Sequence, residues 1–179
     1  MKPRPVFRFP KNASRRAAIV ITVSDRSARG QRPDSSGPRV AELLRRHGFE
    51  VVATAVVPDR VRTIVPALRA ALGAAALVVT TGGTGFGPRD LTPEATRRVV
   101  DRLAPGLCEA MRAAGAAANP RAWLSRGVAG LRGRSLVLNL PGSPVGAEES
   151  LACIVDLLPH ALDVLAGAGH RPAPGAAES

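Results

Sequence analysis

Residues 80–94, TTGGTGFGPRDLTPE, form the least ordinary turn in the sequence, because three of their first six residues are glycines. They follow the apolar run AAALVV, residues 74–79, whose composition is typical of a buried strand. A turn that only reverses the chain needs one glycine, whereas several glycines let backbone N–H groups approach an anion, and threonine hydroxyls add further donors. The stretch therefore predicts a strand-to-helix turn that binds phosphate; the alternative is a tight turn without a ligand.

The alternation of strand and helix continues on both sides of this turn. Strand patterns cover residues 17–24, 49–57 and 76–81, and residues 127–140 predict a β-hairpin around an Arg-Gly turn. Helix patterns cover residues 38–47, 61–72, a helix capped by Thr92, 105–118 and 147–166, while residues 25–37 read as a polar loop. This order predicts a three-layer α/β/α sandwich around a mostly parallel sheet with one antiparallel strand.

Composition divides the chain into one domain and two tails. Residues 1–16 contain six basic and no acidic residues, three prolines and no apolar periodicity, so they predict a flexible basic arm. Residues 17–166 form the predicted α/β domain, and residues 167–179 the predicted disordered tail. The sequence has no apolar run of the roughly 18–20 residues that a membrane span needs, and we expect a cytoplasmic protein without membrane contact.

The charge and the aromatic content disfavour a nucleic-acid partner. Six of the 25 basic residues lie in the arm, so the remaining chain is only moderately basic, with 19 basic and 14 acidic residues. Five aromatic rings in 179 residues offer few platforms for stacking bases. The two cysteines and three histidines are scattered without metal-ligand spacing, and no grouping of a nucleophile with a histidine stands at a strand end.

Carboxylates stand in three of the loops where a ligand would bind. In an open α/β sheet ligands bind beyond the carboxyl ends of the strands, which selects the loops at Ser24-Asp25, Pro58-Asp59, 82–90 and 141–143. Asp90 would repel a phosphate in the glycine turn unless Mg2+, held by one or two carboxylates and by phosphate oxygens, lies between them. Asp59 is the candidate second carboxylate; its alternative role is to cap the following helix.

Three further groups of polar residues have both a binding and a structural interpretation. The loop at 141–143 could grip a flat ring, or it could be a plain strand-to-helix turn in which Ser143 caps the helix. Ser24-Asp25 and Ser36-Gly37 could donate to a second anion, or they could form an ordinary capped loop. Asn139 lies in an apolar strand and needs hydrogen-bond partners from the backbone or from a ligand.

Several motifs occur together in the order of a known family. They are TVSDRSARG (22–30), DSSGP (34–38), VVPD (56–59), residues 80–94, PGLCEAMR (105–112) and LVLNLPGSP (136–144). In this order they resemble the molybdenum cofactor biosynthesis MogA/MoaB family, and the G domains of gephyrin and its plant counterpart are similar too. The resemblance spans residues 17–166, and the order of the motifs makes it more specific than GGTG alone.

The resemblance implies a molybdopterin adenylyltransferase. Such an enzyme uses Mg2+ and ATP to adenylylate molybdopterin, releases pyrophosphate, forms a homotrimer and serves a downstream molybdate-insertion protein. The resemblance assigns Asp59 and Asp90 as catalytic and Mg2+-binding residues. It assigns nucleotide binding to Gly82, Gly83, Thr84, Gly85, Pro141, Gly142 and Ser143. With Asn139 added from its position in an apolar strand, the predicted substrate-binding residues are Ser24, Asp25, Ser36, Gly37, Glu109 and Asn139.

Two departures from the family pattern keep other functions open. Many members have an acidic residue where this chain has Arg60, and many have Lys or Asn near Ser143 and Val145. A MoaB-type molybdopterin-binding protein with weak or no catalysis is one alternative. A nucleotide pyrophosphatase similar to the domain of competence-damage proteins is another.

Overall fold

A six-stranded sheet forms the centre of the fold. The computed structural model describes residues 7–10 and 14–168, and the structural statements below concern those residues. The strands are β1 (Ala17–Val23), β2 (Glu50–Val57), β3 (Leu77–Thr81), β4 (Arg102–Leu103), β5 (Ala129–Arg132) and β6 (Ser135–Leu140). Their order across the sheet is β2-β1-β3-β6-β5-β4.

Four of the strands run parallel. β1 pairs with β2 and with β3, and β3 pairs with β6, all in parallel, so the carboxyl ends of these four strands lie along one edge. The predicted hairpin is confirmed as the antiparallel pair β5 and β6. β4 pairs antiparallel with β5 and was not predicted, because a strand of two exposed residues has no apolar pattern.

Seven helices connect the strands within the described residues. They are α1 (Asp25–Ala28), α2 (Ser36–Arg46), α3 (Val61–Leu72), α4 (Thr92–Arg97), α5 (Pro105–Ala118), α6 (Pro144–Ala152) and α7 (Leu158–Leu165). Short 3-10 turns cover Pro120–Leu124 and Val155–Leu157. None of the helices in this part of the chain is long and apolar enough to cross a membrane.

The two faces of the sheet bury separate apolar clusters. Ala18 and Val20 of β1 face a cluster that includes Leu44 of α2 and Leu151 of α6. The alternate residues of β1, such as Ile19, face a second cluster with α3 and α4. Because successive side chains of a strand point to opposite faces, a fully apolar strand such as β1 must be covered on both sides. The predicted three-layer sandwich is therefore confirmed.

The last predicted helix, 147–166, is wrong as a single element. The chain turns after Cys153 and resumes as α7, in which Pro159 occupies the first turn. A proline at that position needs no N–H partner, whereas inside a continuous helix it would remove a hydrogen bond. The turn lets most of this apolar segment pack inward, and only Leu157 and Val164 remain as exposed large apolar side chains, at 56% and 51%.

Other helix starts also differ from the sequence-based expectation: α2 begins at Ser36 and α6 at Pro144, two and three residues earlier than predicted. The segment 25–37 is not entirely loop, because Asp25–Ala28 forms a short helix whose N-cap Ser24 accepts a hydrogen bond from the Ser27 N–H. Thr92 is the first residue of α4 rather than its cap. Its hydroxyl donates instead to the carbonyl oxygen of Gly82, at 2.8 Å.

The N-terminal segment makes more contacts than its composition indicates. Phe7 and Phe9 pack against the α3 side of the sheet, with their rings stacked at a centroid distance of 6.5 Å. Arg16 donates to the carbonyl oxygen of Pro159 and to the Asp163 carboxylate, both at 3.0 Å. These side chains therefore pack against the domain, which the composition of the segment did not indicate. The predicted boundaries between arm, domain and tail, at residues 16 and 166, stay a prediction. Residues 1–6, 11–13 and 169–179 lie outside the described part.

We predict that the double substitution Phe7→Ala and Phe9→Ala destabilises the protein. Each ring is half-buried, so the pair should lower the free energy of unfolding by about 2 kcal/mol. For a domain of this size that corresponds to a fall in melting temperature of roughly 4–8 °C, measurable by differential scanning fluorimetry. Arg8→Ala, at the exposed position between the rings, is the matched control and should leave the melting temperature unchanged. An unchanged melting temperature in the double variant would contradict the packing.

Candidate active site

A cleft of about 530 Å³ lies at the carboxyl ends of the four parallel strands. This is the edge at which open α/β sheets bind ligands. The predicted site residues that line it come from four different loops: Ser24, Asp25, Ser36, Asp59, Gly82, Gly83, Asp90, Gly142 and Ser143. The structure therefore brings together the two predicted catalytic carboxylates and part of each predicted binding loop.

The turn after β3 requires glycine at its first two positions. Gly82 and Gly83 have φ angles of 91° and 64°, in the left-handed region that other residues rarely adopt. A Cβ on Gly82 would also collide with the carbonyl oxygen of Val23, and one on Gly83 with the hydroxyl of Thr92. These glycines are thus needed for the close approach of β1, β3 and α4 as well as for the shape of the turn.

The same turn presents unused hydrogen-bond donors. Within the described residues the backbone N–H groups of Gly83, Thr84 and Gly85 donate to no protein acceptor, and neither do those of Gly142 and Ser143 in the loop after β6. Backbone donors in loops normally find a partner in protein or solvent. Two loops with free donors on one cleft are a physical basis for binding an anion.

Asp25 and Asp59 are held together by reciprocal hydrogen bonds. The Asp59 carboxylate accepts from the backbone N–H of Asp25 at 2.5 Å, and the N–H of Asp59 donates to Oδ1 of Asp25 at 3.3 Å. The residue that caps α3 is Arg60, and no side chain makes the capping hydrogen bond. The helix-cap alternative for Asp59 is therefore wrong, because its carboxylate binds a neighbouring loop instead.

The environment of Asp59 disfavours its charge. Burial raises its pKa above the ordinary value of 3.8, and the nearby charges of Asp25 and Asp90 raise it further. The hydrogen bond from Asp25 and the charge of Arg89 lower the pKa but do not cancel these effects. A carboxylate in this position would be stabilised by a cation in the cleft.

Asp90 supports its own loop and keeps one oxygen available. Its Oδ2 accepts a hydrogen bond from the N–H of Gly87 at 2.8 Å. Oδ1 of Asp90 and Oδ1 of Asp59 have no hydrogen-bond donor among the described residues. No group of three or more His, Cys, Asp or Glu side chains in that part of the chain could hold a metal ion. The two aspartates therefore fit Mg2+ only if phosphate oxygens or water complete its coordination, which is the usual mode of Mg2+.

Three arginines line the cleft. From the sequence only Arg89 is a candidate, either to pair with phosphate or to be solvated, and Arg26 and Arg32 were not predicted. Arg89 lies 2.9 Å from the buried carboxylate of Asp25. Arg26 and Arg32 are exposed, and their side chains make no hydrogen bond or ion pair within the described residues, so their charges are available to an anion. They lie in a polar segment without periodicity, and no sequence pattern marks their position.

Asp34 is a further cleft residue that the sequence analysis missed. Its Oδ2 accepts from the Thr22 hydroxyl at 2.6 Å, and its Oδ1 accepts from the N–H groups of Ser36 and Gly37 at 3.1 Å. It thereby fixes the start of α2 against the end of β1. An acidic residue two positions before a helix is a capping signal, which could have identified it.

The comparisons with known proteins identify the family. A family model described as "Probable molybdopterin binding domain" matches residues 19–160, which is most of the chain. The chain belongs to this molybdopterin-binding family.

Relatives in this family cover the same region. The molybdopterin adenylyltransferase of Helicobacter pylori strain J99 is 37% identical over 157 residues, which is 83% of this chain and 86% of the relative. The molybdenum cofactor biosynthesis bifunctional protein of Synechococcus elongatus is 41% identical over 88% of this chain, which spans 50% of that longer relative. The crystal structure of the molybdopterin biosynthesis enzyme MoaB of Thermus thermophilus shares 49% identity at a TM-score of 0.79, covering 84% of this chain and 96% of that one.

The structure places six predicted site residues outside the cleft lining. Thr84, Gly85, Gly37 and Pro141 lie directly beside lining residues and shape the loops. Glu109 is exposed on α5 and does not reach the cleft of this chain. Asn139 is 1% exposed, so its predicted contact with a substrate finds no support in this geometry.

The partners of Asn139 are all within the protein. Its amide nitrogen donates to the hydroxyls of Thr80 and Thr96 at 3.0 and 2.9 Å, and its Oδ1 accepts from the Val128 N–H at 3.1 Å. These bonds satisfy both N–H groups of the amide and join β3, α4 and β6. Asn139 is therefore a buried crosslink beneath the cleft.

We predict that Asp59→Asn raises the melting temperature at neutral pH. The folded-state pKa of Asp59 lies above its unfolded value, so the charged form destabilises the fold at neutral pH. This penalty disappears as the pH falls through the raised pKa toward 3.8, where the variant should lose its advantage. Melting curves from pH 3.5 to 8 measure the difference. Glu109→Gln, which neutralises an exposed carboxylate, should show no such trend, and a lower melting temperature for Asp59→Asn at pH 7 would contradict the prediction.

We predict that Asn139→Leu destabilises the protein strongly. It removes the bonds of Asn139 to the Thr96 hydroxyl and the Val128 N–H, and leaves the Thr80 hydroxyl only its 3.5 Å bond to the Leu138 carbonyl oxygen. Each buried unsatisfied group costs about 1–3 kcal/mol. Thr96→Val removes one of these partners. The double variant should therefore lose less stability than the sum of the single variants in urea denaturation. Strictly additive losses would show that the bond between Asn139 and Thr96 does not form.

Proposed function

We propose that this chain is a molybdopterin adenylyltransferase, which transfers AMP from ATP to the terminal phosphate of molybdopterin and releases pyrophosphate. The observation that carries the proposal is the meeting of the Gly82-Gly83 turn with the Asp59 and Asp90 carboxylates in one cleft. Free backbone donors beside carboxylates that have a free oxygen suit a substrate bearing phosphates. The relative from Helicobacter pylori, which matches over most of both chains, carries the name of this activity.

The reaction brings two anions together, so the site must offset their repulsion. The unpaired guanidinium groups of Arg26 and Arg32 and the free N–H groups of the two loops supply positive charge and donors. Mg2+, held by Asp59 and Asp90, would neutralise phosphate charge when it is bound there.

The residues of the chain act by positioning rather than by covalent attack. The described cleft holds no cysteine and no histidine, and its carboxylates are acceptors in loop hydrogen bonds or available to a cation. The attacking oxygen belongs to the pterin phosphate, and the leaving group is pyrophosphate. The protein therefore contributes by holding the two phosphates in line, which by itself accounts for a large part of many rate enhancements.

The proposal extends to the assembly and the surroundings of the enzyme. We expect a homotrimer in the cytoplasm that passes its product to a molybdate-insertion protein, with no nucleic-acid or membrane partner. Exposed apolar side chains, such as Trp123 and Leu157 at 59% and 56% exposure, are available for subunit contacts. Light scattering at micromolar concentration tests the trimer, and a monomer would remove this part of the proposal.

The test is incubation with molybdopterin, ATP and Mg2+, followed by chromatography for adenylyl-molybdopterin and a coupled assay for pyrophosphate. Asp90→Asn keeps the size of the side chain but removes its charge, and should lower kcat about 100-fold or more. Binding of molybdopterin should persist in this variant, because other loops also line the cleft.

Asp101→Asn is the matched control for Asp90→Asn. Asp101 is exposed, pairs with Arg132 outside the cleft, and should keep full turnover when it is neutralised. Wild-type protein that retains molybdopterin but forms no adenylyl product would instead support the binding-protein alternative. Full turnover in Asp90→Asn would reject the assigned role of that carboxylate.

A further inference from the structure

Arg126 makes four hydrogen bonds around the loop that contains the glycine turn. Its backbone N–H donates to the carbonyl oxygen of Thr84 at 2.8 Å, and its Nε donates to that of Gly85 at 2.8 Å. Its Nη2 donates to the carbonyl oxygen of Asp90 at 2.5 Å, and its Nη1 pairs with the carboxylate of Glu94. The two ends of the loop are therefore joined by one side chain that lies 41 residues from Gly85 in sequence.

We propose that Arg126 is a positioning residue for the reaction, and that Glu94 is its counter-ion. By holding Gly85 and Asp90 to one guanidinium group, Arg126 fixes the loop that places the Gly83 backbone and the Asp90 carboxylate at the cleft. Arg126 does not itself line the cleft, so it acts through the loop and not on the substrate. The catalytic part of this inference rests on the proposed function, whereas the ordering of the loop by Arg126 does not.

Arginine suits this position for a geometric reason. Three acceptors lie around the group in different directions, and a planar guanidinium presents five donors in a fixed fork. A lysine has three donors on a single nitrogen and cannot reach all of these acceptors at once. Gly82 and Gly83 leave the beginning of the loop conformationally free, so an external restraint is needed to keep one geometry.

Glu94 balances the charge of Arg126 in an ion pair. Burial would raise the pKa of Glu94, but the hydrogen bonds from Arg126 and from its own backbone, with the charges of Arg126 and Arg97, lower it below the ordinary value of 4.5. Glu94 is therefore ionised at neutral pH and balances Arg126. Both side chains are more than a third exposed, at 35% and 40%, so the pair itself adds little to the stability of the fold.

A second arginine in the chain provides a matched control. Arg132 also bonds a backbone carbonyl, that of Val99 at 3.0 Å, and a carboxylate, that of Asp101 at 3.3 Å. These contacts lie at the antiparallel end of the sheet and not on the glycine loop. Arg132→Met therefore removes a similar set of bonds without touching the proposed machinery.

The experiment compares wild type with Arg126→Met, Arg126→Lys, Glu94→Gln and Arg132→Met in the full chain. Hydrogen-deuterium exchange in residues 82–91, at the hydrogen-bonded amides of Gly82, Gly87 and Asp90, reports the order of the loop without any need for activity. Steady-state kinetics with molybdopterin and ATP report kcat and KM, and melting temperature reports the fold.

Arg126→Met should accelerate exchange in residues 82–91 at least about 10-fold and lower kcat on the order of 100-fold, with a smaller change in melting temperature than Asn139→Leu. In Arg126→Lys, the exchange rate of the loop and kcat should both lie between those of Arg126→Met and wild type. Glu94→Gln keeps the bonds to the two loop carbonyls, so it should affect exchange little, and Arg132→Met should not differ from wild type in residues 82–91.

The outcomes separate this inference from the proposed function. Unchanged exchange in Arg126→Met overturns the positioning role, whatever the activity. Faster exchange with unchanged kcat also overturns it, because the loop would then not matter for the reaction. If the wild type shows no adenylyl transfer, the proposed function fails and the catalytic role of Arg126 fails with it. Faster exchange confined to the loop would in that case leave Arg126 with a structural role only.

Discussion

The shared carboxyl edge of four parallel strands is the constraint on which the rest of the structure depends. β1, β2, β3 and β6 pair in parallel, so the chain leaves each of them at the same edge and returns through a helix. The loops that follow must meet there, however far apart they stand in the sequence. Asp25 and Asp59 are 34 residues apart, and they exchange hydrogen bonds because β1 and β2 are neighbours.

The cleft at this edge contains charged groups and hydrogen-bond donors that lack a partner among the described residues. Burial and two neighbouring carboxylates disfavour the charged form of Asp59. The guanidinium groups of Arg26 and Arg32 have no hydrogen-bond or ion-pair partner within the described residues. Beneath the cleft, by contrast, the buried side-chain amide of Asn139 is fully paired. Unpaired charges and free donors in one place do not stabilise the fold. They are well suited to a charged ligand, which supplies the missing partners.

The loops of the cleft are held in place from outside it. Gly82 and Gly83 give the turn the freedom to approach β1, but that freedom would also let the loop move. The Thr92 hydroxyl binds the carbonyl oxygen of Gly82, and Arg126 binds those of Gly85 and Asp90. The shape of the site is thus set by residues of α4 and of the segment before β5, which is how a glycine-rich loop can be ordered enough to position a substrate.

By itself the sequence determined the order of strands and helices, the hairpin and the four loops that share an edge, because apolar periodicity and turn residues are local properties of the chain. The alternation of strand and helix patterns along residues 17–166 predicted the layered fold. Only the tertiary structure decided the break before α7, the strand β4, and the partners of Asp59, Asn139 and Arg126. Those partners lie 11 to 59 residues away in the sequence. The sequence shows which kinds of group a polar side chain can bind, but only tertiary packing determines which atom it contacts.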